Sequence, residues 1–187
     1  GRHNLLNALA AAAAARHLGA EWTDVKQGLA DFRGVGRRFE VLGEAGGVSV
    51  VDDYAHHPTE IAATLDGARA AYEGRRLVVA FQPHLFSRTR DFAAAFGEVL
   101  AKADVVWITD VFPAREAPIP GITGALVADH ARRAGGAEVR YHSALDTLAD
   151  ELVGSLRSGD VLITMGAGSI EVLGARVLGQ MREVALA

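Results

Sequence analysis

Four short apolar runs constrain this chain more than any other feature. They are 48–51, Leu77-Val78-Val79-Ala80-Phe81, Val105-Val106-Trp107-Ile108 and Val161-Leu162-Ile163. Each is too short for a helix, rich in β-branched residues and almost free of polar alternation, which is the pattern of a strand buried on both faces. Between them lie longer segments with apolar residues at helical spacing, such as Phe92, Phe96, Val99 and Leu100. The alternation predicts an α/β fold: a mostly parallel sheet with helices on both faces.

The remaining elements follow from local signals. Residues 39–42 and 48–53 form an expected hairpin across Gly43-Glu44-Ala45-Gly46-Gly47. Helices are expected over 58–72, with Pro58 at the first position, and over 88–102, 123–133, 145–156 and 169–181. A short strand is expected at 139–141. Two further helices precede the sheet, one over 5–17 capped by Asn4 and stopped by Gly19, the other over 23–32 capped by Thr23. Gly34-Val35-Gly36-Arg37-Arg38 reads as a hinge. The chain therefore divides into 1–36 and 37–187. It opens on Gly1-Arg2-His3-Asn4 with a helical pattern already under way, and so reads as a piece of a longer protein.

Composition narrows the function classes. At 187 residues and 50% hydrophobic, the chain can bury the core of one medium domain with an appendage. A net charge of −4, with Lys26 and Lys102 as the lysines, argues against a nucleic-acid partner. The longest apolar run, 8–15, is far too short to cross a membrane. Cysteine is absent, so disulfides and thiol chemistry are excluded.

In an open α/β sheet, ligands bind beyond the carboxyl ends of the strands, and here those ends carry the polar residues. The first run leads into Asp52, Asp53, Tyr54, His56 and His57. The second leads into Gln82, His84, Ser87 and Arg88, the third into Asp110, Arg115 and Glu116, and the fourth into Thr164 and Gly166-Ala167-Gly168-Ser169. Parallel strands would gather all four groups on one edge. Asp52, Asp53, His56, His57 and His84 are possible metal ligands, but adjacent His56 and His57 must diverge and no His pair stands at i, i+4, so no metal is assigned. The Gly166-Ala167-Gly168 turn lacks the third glycine of a dinucleotide fingerprint, Glu171 standing there, and reads as a tight strand-to-helix turn. Arg88, at a helix start beside free backbone N–H groups, is suited to hold a carboxylate in two parallel bonds.

The stretch Asp52-Asp53-Tyr54-Ala55-His56-His57-Pro58-Thr59-Glu60 resembles the signature of the Mur ligases, the ATP-dependent amide ligases of peptidoglycan precursor synthesis. Gly1-Arg2-His3-Asn4-Leu5-Leu6-Asn7 and Arg37-Arg38-Phe39-Glu40 resemble it too. Phe81-Gln82-Pro83-His84 and Ser87-Arg88-Thr89 are similar to the alanine-adding branch. The branch that recycles a tripeptide is the alternative, and a non-catalytic nucleotide-binding module is a third reading. The resemblance implies that 1–36 is the end of a central ATP-binding domain and 37–187 a Rossmann-like C-terminal domain, with the N-terminal and most of the central domain outside this chain. It implies a cytoplasmic enzyme that uses UDP-N-acetylmuramate, L-alanine, ATP and Mg2+, with the main ATP and Mg2+ groups elsewhere, and no nucleic acid or membrane. By the same resemblance Asn4, Asn7, Arg38 and Asp53 meet the nucleotide, with Arg37 a surface neighbour and Asp52 structural. Tyr54, His56 and Arg88 form the L-alanine pocket, and His56 and Arg88 are the catalytic candidates. Leu85 stands where many family members carry arginine. No G-x-x-x-x-G-K-[ST] phosphate loop occurs in the sequence, so this chain alone is expected neither to hydrolyse ATP nor to form an amide.

Overall fold

The computed structural model describes residues 2–186; the side chains of Arg2, His3, Ala185 and Leu186 lie outside the described set, as does Gly1 of the opening motif. The chain separates into two compact units, Gly1–Val35 and Gly36–Ala187. The first consists of α1 (Arg2–His17) and α2 (Trp22–Asp31). Asn4 lies inside α1 and so does not cap it: the helix is already running at Arg2. Likewise α2 starts before Thr23, with Glu21 at the N-cap making no side-chain cap bond. The turn between them is held by Arg16, which bonds the Ala20 carbonyl and lies 5.3 Å from the Trp22 ring. Leu5, Leu6, Leu9, Trp22, Leu29 and Phe32 remain exposed.

The second unit is a six-stranded sheet in the order β1-β2-β6-β3-β4-β5. Its strands are β1 (Glu40–Ala45), β2 (Val48–Asp53), β3 (Leu77–Phe81), β4 (Val105–Ile108), β5 (Glu138–Tyr141) and β6 (Val161–Met165). Only β1 runs antiparallel, against β2; the other neighbours pair in parallel. The hairpin turn is shorter than expected. Gly46 and Gly47, with φ of 56° and 77°, form the two-residue turn, and both conformations favour glycine. The residues expected as loop on its near side belong to β1, which carries an irregularity between Val41 and Gly43.

The helices are α3 (Pro58–Ala71), α4 (Phe86–Leu100), α5 (Gly124–Ala134), α6 (Leu145–Ser155) and α7 (Leu173–Leu186). The expected last helix opens with a separate 3-10 turn, Ser169–Val172; such tightened turns are common at helix starts. Strand residues alternate between two cores. Val51, Val79, Phe81, Val106, Ile108 and Ile163 pack against Ile61 and Leu65 of α3, Phe96 and Leu100 of α4, and Val127 of α5. Val50, Val78, Ala80, Trp107 and Leu162 pack against Leu148 and Leu152 of α6 and Val177 of α7. Burial on both faces is why these strands read as unbroken apolar runs.

The order of strands carries the functional consequence. The carboxyl ends of β2, β6, β3 and β4 lie side by side along one edge, with Asp52 next to Thr164 and Asp53 next to Met165 in the β2–β6 register. Beyond β4, Asp110 accepts bonds from the Tyr141 hydroxyl at 2.6 Å and the Gly124 N–H at 3.2 Å, fixing the start of α5. A Cβ on Gly124 would lie 1.8 Å from the Thr109 carbonyl oxygen. Gly124→Ala is therefore expected to destabilise the chain by about 1–3 kcal/mol or more, measured by urea unfolding; an unchanged midpoint would contradict this close approach.

Candidate functional site

The edge is built outward from β2. Asp52 and Asp53 are both buried, at 3% and 5% exposure. Asp52 accepts the Thr164 hydroxyl at 2.6 Å and the Arg37 Nε–H at 2.7 Å. The same guanidinium donates to the Gly166 carbonyl at 2.7 Å, lies 3.4 Å from Glu171 and sits 5.0 Å from the Tyr54 ring centre. Arg37 is thus no surface neighbour. It ties the start of this unit to the ends of β2 and β6, and its carbonyl accepts the Tyr54 N–H at 2.7 Å. Asp53 accepts the Phe39 N–H at 2.8 Å and the Ala55 N–H at 2.7 Å. Burial raises its pKa, opposed by these two N–H groups, by the Arg38 charge and by Thr64. Arg37 and Phe39 hold φ of 57° and 53°, a conformation that costs L-residues about 1–2 kcal/mol each. The two carboxylates supply the bonds that hold it.

The loop then turns into α3. His57 is the N-cap: its ring Nδ1 accepts the Thr59 N–H at 3.3 Å, and its ring meets Phe92 of α4 edge-on at 4.9 Å. His56 points elsewhere, as adjacent positions require. Its Nδ1 lies 2.9 Å from the Tyr54 carbonyl and 3.2 Å from a Glu60 oxygen. Glu60 also accepts the N–H groups of His56 and His57 at 3.0 and 3.2 Å. Arg38 is half exposed, 4.0 Å from Glu60 and 5.6 Å from the Tyr54 ring centre.

The segment after β3 meets this loop. The His84 and His56 rings are 5.8 Å apart and nearly perpendicular. His84 also stacks on Phe112 at 5.8 Å and 17°. Its Nδ1 lies 3.5 Å from Arg88 Nη1. Burial lowers the His84 pKa, the Arg88 and His56 charges push the same way, and Glu116 opposes them. Burial and the neighbouring positive charge thus favour the neutral form of His84. Leu85, with φ of 69° and ψ of 133°, is the N-cap of α4 without a side-chain bond. Its N–H donates to the Phe112 carbonyl at 3.0 Å, and its carbonyl accepts the Thr89 hydroxyl at 2.8 Å.

The N-terminus of α4 is not free, contrary to the sequence expectation. Glu116, from beyond β4, accepts the Ser87 N–H at 2.9 Å and the Ser87 hydroxyl, which holds its carboxyl below the usual range. The Gly166-Ala167-Gly168 turn is likewise occupied. Gln82 Oε1 accepts the Ile170 N–H at 3.0 Å, and Gln82 Nε2 lies 3.2 Å from Ser169 Oγ. A Cβ on Gly168 would meet the Phe112 ring at 2.5 Å. The glycine there serves close packing, as a strand-to-helix turn requires.

Tyr54, His56, His84 and Arg88 thus form one run of contacts across the ends of β2 and β3. Arg88 is half-buried, and no ion pair among the described residues includes it. A half-buried guanidinium with its donors uncommitted to acid is suited to a substrate carboxylate. Asn4 and Asn7 belong to the helical unit, exposed and three residues apart on α1. Among the described residues no three His, Asp or Glu side chains gather as metal ligands would, and no helix is long and apolar enough to cross a membrane. The sequence placed His84 and Glu116 on the edge without a role, and missed Arg37 and Glu60 as members of it. Only Glu60 had a local signal, standing three residues after the cap.

The comparisons agree with this architecture. The family described as "Mur ligase, glutamate ligase domain" matches residues 37–168. The UDP-N-acetylmuramate–L-alanine ligase of Mycolicibacterium smegmatis is 52% identical over 184 residues, covering 97% of this chain and 37% of that protein. The crystal structure of the UDP-N-acetylmuramate–alanine ligase MurC from Thermotoga maritima superposes with a TM-score of 0.83 at 31% identity, covering 98% of this chain and 39% of that one. A murein peptide ligase from Psychrobacter arcticus gives 0.71 at 27% identity, with 97% and 37% covered. The chain spans less than two-fifths of the length of each of these relatives.

The clasp at the base of the edge is testable in the chain itself. Arg37→Ala leaves Asp52, whose side chain is 4% exposed, without its cation. It is expected to cost about 3–5 kcal/mol in urea unfolding; a loss below about 1 kcal/mol, the range of a surface pair, would contradict the clasp.

Proposed function

The chain belongs to the Mur ligase family, and from that premise we propose that it is the C-terminal part of an ATP-dependent ligase that joins L-alanine to UDP-N-acetylmuramate. In this reaction ATP phosphorylates the muramic carboxylate, and the alanine amino group attacks the acyl phosphate to give amide, ADP and phosphate. The observation that carries the reading is the juxtaposition of Arg88 with His84 and His56 at the strand ends. One end of this group offers an uncommitted guanidinium and the other an imidazole, which suits a small molecule with a carboxylate and an amine.

On this reading Arg88 holds the alanine carboxylate, His56 stands by the attacking amine, and Tyr54 lines the pocket. A neutral imidazole can accept the amine's proton at cytoplasmic pH, and the use of ATP implies a cytoplasmic protein. Arg38, 53% exposed at its side chain, is free to approach a phosphate, and Asn4 and Asn7 offer amide donors and acceptors to adenine. Asp53 contributes at the ribose end by fixing the Phe39 turn beside Arg38, and the lone pairs not used by Phe39 and Ala55 are those a ribose hydroxyl would meet. Residues 1–36 are assigned to the end of the central domain and 37–187 to the C-terminal domain. The phosphate-binding and Mg2+-binding groups are assigned to protein outside this chain, for which the described residues supply no cradle. The tripeptide-recycling ligase is less favoured, because the murein peptide ligase fits at lower identity and TM-score than MurC.

In the full-length ligase, Arg88→Ala is expected to raise KM for L-alanine by roughly 100-fold, the scale of a lost charge-assisted pair, with ATP affinity changed less than about twofold. Equal losses for alanine and ATP would contradict the carboxylate role.

A further inference from the structure

Glu60 makes more contacts than helix capping requires. At the third position of α3 it closes a capping box with His57, which needs the 3.2 Å bond from the His57 N–H. The same oxygen, Oε2, also accepts the His56 N–H at 3.0 Å and lies 3.2 Å from the His56 ring Nδ1. The same ring nitrogen is within hydrogen-bond distance of the Tyr54 carbonyl, at 2.9 Å. A nitrogen facing two oxygen acceptors must be the protonated one. The neutral His56 ring therefore keeps its lone pair on Nε2. Across from it stands His84, whose Nδ1 is turned to Arg88.

We propose that Glu60 is a positioning residue for His56: its carboxylate, with the Tyr54 carbonyl, holds the ring in the Nδ1–H form and so presents the Nε2 lone pair to the substrate amine. This rests on the reading that places His56 beside that amine. In the step served, the amine nitrogen forms a bond to the acyl carbon, the bond from that carbon to the phosphate oxygen breaks, and phosphate leaves with the electron pair. One proton moves from the amine to Nε2. The imidazolium so formed gains a carboxylate already in place at Nδ1, the arrangement by which an acid orients and stabilises a catalytic histidine. The exposed Arg38 lies 4.0 Å from the other Glu60 oxygen, Oε1, and does not occupy the atom that meets His56.

Two measurements test this. In the 187-residue chain, long-range proton–nitrogen correlation spectra of the histidine rings should find neutral His56 in the Nδ1–H form; a predominantly Nε2–H ring would overturn the proposal whatever the protein catalyses. In the full-length ligase, Glu60→Gln, which keeps an acceptor for the cap, should lower kcat about tenfold while KM for ATP stays within about twofold. The same substitution in a His56→Gln background should then cost less than about twofold. An unchanged kcat in Glu60→Gln, or an equal loss in both backgrounds, would overturn the role of Glu60 alone. A His56→Gln enzyme with full kcat would overturn the placing of His56 as well, and the two failures are thereby told apart.

Discussion

Two neighbouring carboxylates that point apart hold the functional edge together. Successive strand residues face opposite sides of a sheet, so Asp52 and Asp53 at the end of β2 serve different partners. Asp52 faces Thr164 and Arg37, and joins β6 to the first turn of the unit. Asp53 faces the Phe39 and Ala55 N–H groups, and fixes the chain before β1 and after β2. A buried carboxylate is tolerated only when such donors replace water. Here the donors are backbone N–H groups, the Thr164 hydroxyl and one guanidinium, so meeting the electrostatic need also dictates the path of the loop. That path turns His57 in to cap α3 and leaves His56 facing His84.

Much of the fold was legible in the sequence because burial on both faces removes polar residues from the central strands. Leu77–Phe81 and Val105–Ile108 were read with their observed bounds, since the apolar run and the buried strand are the same physical object. Errors gathered where local signals compete. Asn4 resembles a cap but sits within α1, which starts at Arg2. The glycines at 43, 46 and 47 look like one loop, yet only Gly46 and Gly47 turn the chain, while Gly43 is taken up in β1.

The edge was legible in outline, because the parallel order follows from the strand pattern and parallel strands bring their ends together. The contacts that define it were less so, being long-range. Arg37 reaches Asp52, 15 residues on, and Gly166, 129 residues on; nothing near Arg37 in sequence distinguishes it from exposed Arg38. Glu116 reaches back 29 residues to occupy the Ser87 N–H that sequence reading had left free for a ligand. Gln82 similarly takes the Ile170 N–H, 88 residues away. With those donors committed to the protein, side chains become the chemistry of the edge: the Arg88 guanidinium, and the His56 and His84 imidazoles, each oriented by a partner at Nδ1.

The central claim is that the strand-end loop is held rigid by its own buried acids before any ligand arrives. Native-state hydrogen exchange at the amides of Phe39, Tyr54 and Ala55 tests it most directly. All three donate to Asp53 or to the Arg37 carbonyl, so the account predicts protection comparable to that of the β2 amides. Exchange at rates close to those of an unstructured peptide would contradict it.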